Sequence, residues 1–422
     1  MGRAFLSLAA VTACALAVVS PALPQSAAKQ IVVDKDKVQC PKANFTSIQA
    51  AVNAAAPGDT IKVCPDQYNE SVNVTKPSLT LVGPTTVNVS QCSTVTAADP
   101  TRDAVVTGAG SYSFSLLNNN ITISGFVAQG SVDGIDTSDS FSGYRITNNI
   151  AQNNSTRGIN FLSSGTNQSR IDHNCLRQNG NSGVQSEVGN LSNGLVDHNA
   201  TYRNGFDGLD FSGAGARAYV TVTQNSSVED GLGGLSIDNS IGSSLSQNTT
   251  QGTPNVFASG AGIFVGGANN GLSITGNTVT GSGLGNGIKL TQAQFTPVFT
   301  APNVGLNISS NVVTAAGGSG ILAVAGAPNL TVSVVSNNTA SGNAGSGIRL
   351  QIGNDNNRVT NNGTDKNGTN GIYADSAVGN TFANNHMSLN VEFDARDDNR
   401  PANTWTANQC TTDSPPGTIC GN

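Results

Sequence analysis

A block of four residues recurs along the chain, and no other feature limits the possible folds as tightly. The copies are Ile146-Thr147-Asn148-Asn149, Ile171-Asp172-His173-Asn174 and Val196-Asp197-His198-Asn199, then Val222–Asn225, Leu245–Asn248, Ile274–Asn277, Ile308–Asn311, Val335–Asn338, Val359–Asn362 and Phe382–Asn385. Each is an apolar residue, two variable residues and an asparagine, and successive asparagines lie 23 to 34 residues apart. A second apolar position follows in each period, introduced by glycine: Gly134-Ile135, Gly158-Ile159, Gly183-Val184, Gly208-Leu209 and so on to Gly371-Ile372. A unit this short cannot bury its own apolar face, so the units must stack. The expected fold is all-β: a single-stranded, right-handed parallel β-helix of about ten coils. Strands of neighbouring coils would lie about 4.8 Å apart. Aliphatic side chains would fill the interior, and the recurrent asparagines would form a hydrogen-bonded ladder at a bend. In this reading the asparagines are structural.

Composition agrees. Charged residues make up 11% of the chain and glycines number 49, which suits short strands joined by tight turns. The first residues read as a secretion signal, with Arg3 before an apolar run from Phe5 to Ser20 and small residues near Ser20-Pro21-Ala22 and Ser26-Ala27-Ala28. Val11-Thr12-Ala13-Cys14 resembles a bacterial lipobox, which makes a lipid-anchored or periplasmic protein the alternative to a freely secreted one. No other run is long and apolar enough to span a membrane. The expected division is a signal peptide over 1–28, an N-terminal cap and first coils over 29–110, repeats over 111–393, and a C-terminal cap over 394–422. Phe45 to Ala56 reads as a short capping helix stopped at Pro57-Gly58-Asp59, with Ile48 and Val52 on one face. Thr253–Ala261 and Thr291–Val304 read as loops projecting from the stack. Trp405 belongs to the C-terminal cap.

Beyond Cys14, six cysteines remain, and an even count in a secreted chain predicts disulfides. Cys410 and Cys420 form the expected pair. Spacing leaves the partners of Cys40, Cys64 and Cys92 open, with Cys175 the candidate free thiol. There is no CxxC motif to bind zinc. The net charge of −6 argues against a nucleic-acid partner. An anionic polysaccharide would need local basic residues or bridging Ca²⁺, the one cofactor considered. A monomer is expected.

The stretch Phe45-Thr46-Ser47-Ile48-Gln49-Ala50-Ala51-Val52, then Pro57-Gly58-Asp59-Thr60-Ile61, Tyr68-Asn69-Glu70 and Leu79–Gly83, resembles the opening of the pectin-lyase-like superfamily. The repeats from Ile121 to Asn390 resemble the generic β-helix repeat of that group, which includes NosD-like periplasmic proteins. The resemblance implies the β-helix fold and a polysaccharide ligand. It does not bring a complete catalytic set. The polygalacturonase and pectinesterase motifs are missing. Ile171-Asp172-His173 resembles a pectate lyase stretch without its arginine motif. Asn204 to Asp210 resembles a coil of alginate epimerases without their Asp-Pro-His element.

In that superfamily the substrate groove follows the outer face of one sheet. The outward position after each Gly-apolar pair marks a row here: Asp136, Asn160, Gln185, Asp210, Ser236, Phe264, Lys289, Leu322, Arg349, Tyr373 and Glu392, with Asp133, Glu187 and Asp207 beside it. Asp207 and Asp210 are the candidate catalytic carboxylates, because acid-base chemistry on a sugar needs such groups at the scissile bond. Asp136, Asn160, Gln185, Ser236 and Lys289 are candidate substrate contacts. The plainer alternative is an outer face that these residues merely solvate. A second cluster comprises Asp172, His173, Arg177, Asp197, His198, Tyr202 and Arg203, where stacked aspartates need histidine, arginine or a cation between them. His386 stands alone and reads as structural. Three histidines and two methionines make a poor copper site. Two functions follow as expectations: a carbohydrate-active lyase, epimerase or hydrolase, or a non-catalytic glycan-binding scaffold.

Overall fold

The computed structural model describes residues 28–94, 98–254, 260–291, 301–326 and 329–420. The expected signal segment up to residue 27 and the greater part of both projecting loops lie outside these residues. What is described is a right-handed parallel β-helix. Three long sheets run along it, of 15, 14 and 13 strands. The first extends from Gln30–Val33 to Thr404–Thr406, the second from Val72–Val74 to Asp413–Ser414, and the third from Asp66–Tyr68 to His386–Ser388. The ten marked coils form the body, and strands before and after them prolong the same sheets.

The register explains the repeat. Ile146, Ile171, Val196 and Val222 lie side by side in the first sheet and are fully buried. Ile135, Ile159, Val184 and Leu209 do the same in the second. The residue just before each ladder asparagine adopts a left-handed backbone, including Asn148, His173, His198 and Gln224, at φ of 54 to 56°. That conformation reverses the chain direction and turns the next side chain inward. Asn199 then donates its backbone N–H and its Nδ2 to Asn225 Oδ1 at 2.9 and 3.0 Å, and Nδ2 also reaches Ile171 O. The same pattern runs unbroken from Asn149 to Asn408.

A second ladder, not read from the sequence, lies at the next turn. Asn154, Asn179 and Asn204 form it, and Asp230 ends it by accepting from Asn204. The recurrent glycines follow from crowding there: a Cβ on Gly158 would come within 2.6 Å of Gly183 O and 2.9 Å of Asn179 Nδ2.

The helix spans Ile48–Ala54, and Ile48, Ala51 and Val52 are its buried face. Glu70 accepts from Ser47 Oγ and from the backbone N–H of Ile48 and Gln49 at 2.8 to 3.0 Å, which places a carboxylate at the helix start. At the other end Trp405 stacks on Phe382 at 4.0 Å. The disulfides are Cys40–Cys64, Cys92–Cys175 and Cys410–Cys420. Cys175 is therefore not free. Its partner sits on a short 3₁₀ turn, Val89–Thr94, that lies over the third sheet. Under it a small apolar patch of Cys92, Val105, Val127, Ile150, Cys175 and Ala200 is buried outside the main core, so a segment distant in sequence closes over Cys175.

Candidate active site

The outer row of the second sheet exists as a register. Asp136, Asn160, Gln185, Asp210, Ser236, Phe264 and Lys289 are successive partners. It continues through Leu322, Arg349 and Tyr373. One member differs: Tyr373 pairs with Arg396, not Glu392. The final coil has no Gly-apolar pair, so Ala395 takes the inward position and Arg396 follows it outward. The row also begins earlier, at Asn73 and Ser115.

Much of the row is not a solvated face. Gln185, Asp210, Ser236 and Phe264 are buried, and Asp207 is closed to solvent. Ser236 Oγ lies 3.0 Å from Asp207 Oδ2 and 2.6 Å from Asp210 Oδ1. Asp210 also accepts from Ser212 N–H and Oγ, at 2.9 and 2.5 Å, and from Gln185 Nε2 at 2.8 Å. A serine hydroxyl has one proton. Given to Asp210 across the shorter contact, it leaves the Asp207 contact to a carboxylic O–H that donates to Ser236 Oγ. Burial, and next the nearby Asp210 carboxylate, push Asp207 well above the usual carboxylate range, which agrees with a neutral acid. Its other oxygen, Oδ1, has no hydrogen-bond partner among the described residues.

Neighbouring coils brace this pair. Arg157 donates Nε to Gln185 Oε1 at 2.6 Å and bridges Asp133 and Glu187 at 3.3 and 3.1 Å. Asn160 donates to Asp136 at 2.7 Å. Burial raises the carboxyls of Asp133 and Asp136 and lowers the Lys289 ammonium. Three groups were not read from the sequence. Arg217, fully buried, donates to the carbonyls of Gly215, Ser186 and Ser212. Asp238, buried beyond it, is pushed up to about 7 despite the Arg217 charge. Asp230, inside the coil, is pushed up to about 6, also by burial. An arginine after a Gly-Ala-Gly-Ala stretch carries no local signal of this. Only the stack brings it under Ser186.

The second cluster divides. Asp172 and Asp197 are held by Arg145 and Arg170, at 3.2 and 2.5 Å, and each accepts from the following histidine's Nδ1, at 2.9 and 2.8 Å. His173 and His198 stack in parallel. Arg177 and Tyr202 share a register in the third sheet, away from those aspartates. Arg177 reaches Cys92 O, and Tyr202 lies in a groove of about 380 Å³ beside the Val89–Thr94 turn. Arg203 pairs with Glu229 at 2.6 Å over the Tyr202 ring.

The coils from Arg217 onward carry a signature of their own. Residues 218–415 match the family model described as periplasmic copper-binding protein (NosD). The match falls wholly within the stack and covers a little under half of the chain. The chain matches no curated protein sequence. Among solved structures it is similar to the Dettilon tailspike protein, with 14% identity and a TM-score of 0.53, over 90% of this chain and 68% of that one. It is also similar to a mannuronic acid specific polysaccharide family 6 lyase from human gut microbiota, with 14% identity and a TM-score of 0.49, over 90% and 83%. A third is the catalytic unit of the GH87 α-1,3-glucanase from Streptomyces thermodiastaticus, with 14% identity and a TM-score of 0.48, over 93% and 71%. These likenesses concern the fold.

The NosD segment does not fit copper. Among its described residues His386 stands alone, Met387 is buried in the core, and Cys410 and Cys420 are joined to each other. Among the described residues, a group of three hard donors is found at the N-terminal end, where Asp34, Asp36 and Asp66 approach one another. Three disulfides suit an oxidising environment, such as the periplasm or the extracellular space. No helix among the described residues is long and apolar enough to cross a membrane.

Proposed function

We propose that this chain processes an extracellular polysaccharide laid along the outer row of the second sheet, with Asp207 as the proton donor. One observation carries the reading: a buried carboxyl held well above the usual carboxylate range by burial and by Asp210, whose second oxygen has no hydrogen-bond partner among the described residues. A carboxyl raised in this way suits the role of proton donor to a leaving sugar oxygen. Asp210 and Ser236 hold its geometry, and Asp136, Asn160, Gln185 and Lys289 would meet successive sugars. The acid step serves a hydrolase or a lyase, and Ca²⁺ is a candidate bridge to an anionic glycan. A monomer suffices, since the row lies on one chain.

A second reading has its own support. Asp207 and Asp210 are closed to solvent, and Asp210 is saturated by four donors. Closed, saturated carboxylates suit a glycan-binding scaffold without turnover. The test is incubation of the protein with a panel of polysaccharides, with and without Ca²⁺, reading reducing ends, absorbance of unsaturated products and uronate epimer ratio. Turnover that Asp207→Asn abolishes, with the unfolding midpoint preserved, supports the acid. Glycan binding without turnover on any member supports the scaffold.

A further inference from the structure

We propose that the outer row of the second sheet takes a neutral glycan, a polymer of uncharged sugars held by its hydroxyls, and rejects uronans. The inference rests on the polysaccharide reading and narrows its substrate class.

Charge is the first ground. Three arginines line the row, and each is already paired. Arg157 bridges Asp133 and Glu187. Arg349 lies 2.6 Å from Asp375, and Arg396 lies 3.0 Å from Asp398 and 3.8 Å from Glu392. Asp136 and Asp210 are held by neutral donors instead, Asn160 and Ser115 for the first, Gln185, Ser212 and Ser236 for the second. Lys289 is the fourth basic group of the row. Arg217, fully buried, gives its guanidinium to backbone carbonyls. Leaving Asp207 aside, seven carboxylates stand against four basic side chains along the row. The balance stays negative even with Asp133 and Asp136, raised by burial, both protonated.

The projecting loops do not alter this balance, because residues 255–259 and 292–300 contain no Lys, Arg, Asp or Glu. A uronan brings one carboxylate per sugar. Laid along this row it meets like charge, and each guanidinium it could seek is already held by one or two carboxylates. Like charges set against each other raise the cost of the wrong ligand and so select the right one.

A pocket gives the second ground. It lies near the C-terminal end of the row, six register steps or roughly 29 Å from Asp210. Its volume is about 230 Å³, and Arg349, Arg396, Glu392, Asn370, Ser346 and Thr369 line it around Tyr373. Every one of these side chains carries a hydrogen-bonding group. The two guanidiniums lie over the Tyr373 ring, 5.1 and 4.5 Å from its centre, and Tyr373 donates its hydroxyl to Asp398 at 2.6 Å. With their charge matched, what the arginines offer a ligand is directed N–H groups. Asn370 is 2% exposed and donates Nδ2 to Glu392 at 3.2 Å, while its Oδ1 has no hydrogen-bond partner among the described residues. That acceptor needs a donor, which a sugar hydroxyl supplies and an ionised carboxylate does not. A neutral sugar is also able to donate to Glu392 and to accept from the arginines at once.

The experiment titrates the purified protein by calorimetry with neutral oligosaccharides of glucose, mannose and xylose, with oligogalacturonate and oligomannuronate, and with the amino sugar oligomers of chitosan, each with and without Ca²⁺. At least one neutral series should bind, and both uronates should bind at least tenfold more weakly, with or without Ca²⁺. Raising salt from about 0.1 M to 1 M shortens the screening length from about 10 Å to about 3 Å, so it should strengthen uronate binding and leave neutral binding unchanged. Glu187→Gln with Glu392→Gln removes the second carboxylate from Arg157 and from Arg396, at side chains 37% and 46% exposed, and should raise uronate affinity severalfold. Uronate binding equal to or tighter than neutral binding, uronate binding that Ca²⁺ brings to parity, or binding confined to the amino sugars overturns this proposal and leaves the polysaccharide reading standing. No binding by any series overturns both. The wild-type titrations decide the matter without the variant.

Discussion

Asp230 stands where the second ladder would otherwise place another asparagine, and that makes it a pH-dependent weak point. It accepts from Asn204 N–H and Nδ2 at 2.9 and 2.8 Å, and from Thr201 and Ser227 hydroxyls at 2.6 and 2.7 Å. Burial still outweighs these four donors and raises the carboxyl from 3.8 to about 6. The folded chain thus holds the proton more tightly than the unfolded chain. Stability from this group is fully present below pH 4 and is lost as pH rises through about 6. A shift of about 2 units corresponds to about 3 kcal/mol above neutrality. Asp230→Asn keeps the shape, keeps an oxygen for Asn204 and cannot ionise. The two hydroxyls need only rotate to accept from its Nδ2. The variant should be more stable than the parent by up to about 3 kcal/mol at pH 8 and equal to it within about 0.5 kcal/mol at pH 4. Urea unfolding of both proteins at the two pH values, with disulfides intact, measures this. An equal difference at both pH values would refute the reasoning. The substitution also removes one charge that raises Asp207, so the Asp207 carboxyl should titrate lower in the variant.

Other perturbations test other parts of the stack. Asn199→Ala removes the partner that Asn174 N–H and Ile171 O each find in its side chain, while Asn174 Nδ2 keeps the Ile146 and Asp172 carbonyls, and should cost roughly 2–6 kcal/mol in denaturant unfolding; a cost below about 1 kcal/mol would falsify the ladder as a structural spine. Replacing Cys92 and Cys175 together by serine opens a loop of 83 residues, which should cost about 4 kcal/mol by chain entropy and expose the Val89–Thr94 turn to proteases. Arg217→Ala should cost about 2–5 kcal/mol by stranding the buried carbonyls of Ser186 and Ser212, Gly215 O keeping its bond from Asn239, and Arg217→Lys should not restore it, because one ammonium cannot match a planar fork; a melting series of the two variants checks both points.

The register of the outer row was legible where side chains follow the period. Asp136, Asn160, Gln185, Asp210, Ser236, Phe264 and Lys289 sit one coil apart in the same slot, so counting residues was enough to align them. Counting failed at Glu392, where the coil loses its glycine and the register passes to Arg396. It could not foresee that Asp207 and Asp210 are closed to solvent, or that one serine hydroxyl stands between them. The asparagine ladder was legible, and so was the stacking of His173 on His198, since both repeat at 25 residues.

By itself the sequence determined the coil, its strands and its turns. These are local matters of apolar spacing and of residues that accept left-handed backbone, and the same solution is repeated at every period. Only the tertiary structure decided which side chains meet across coils and how far water reaches them. Cys175 finds Cys92 across 83 residues, Arg217 enters under Ser186, and burial separates the protonation of Asp207 from that of an ordinary surface aspartate. Desolvation and pairing depend on neighbours brought together by stacking, and no stretch of one coil contains that information.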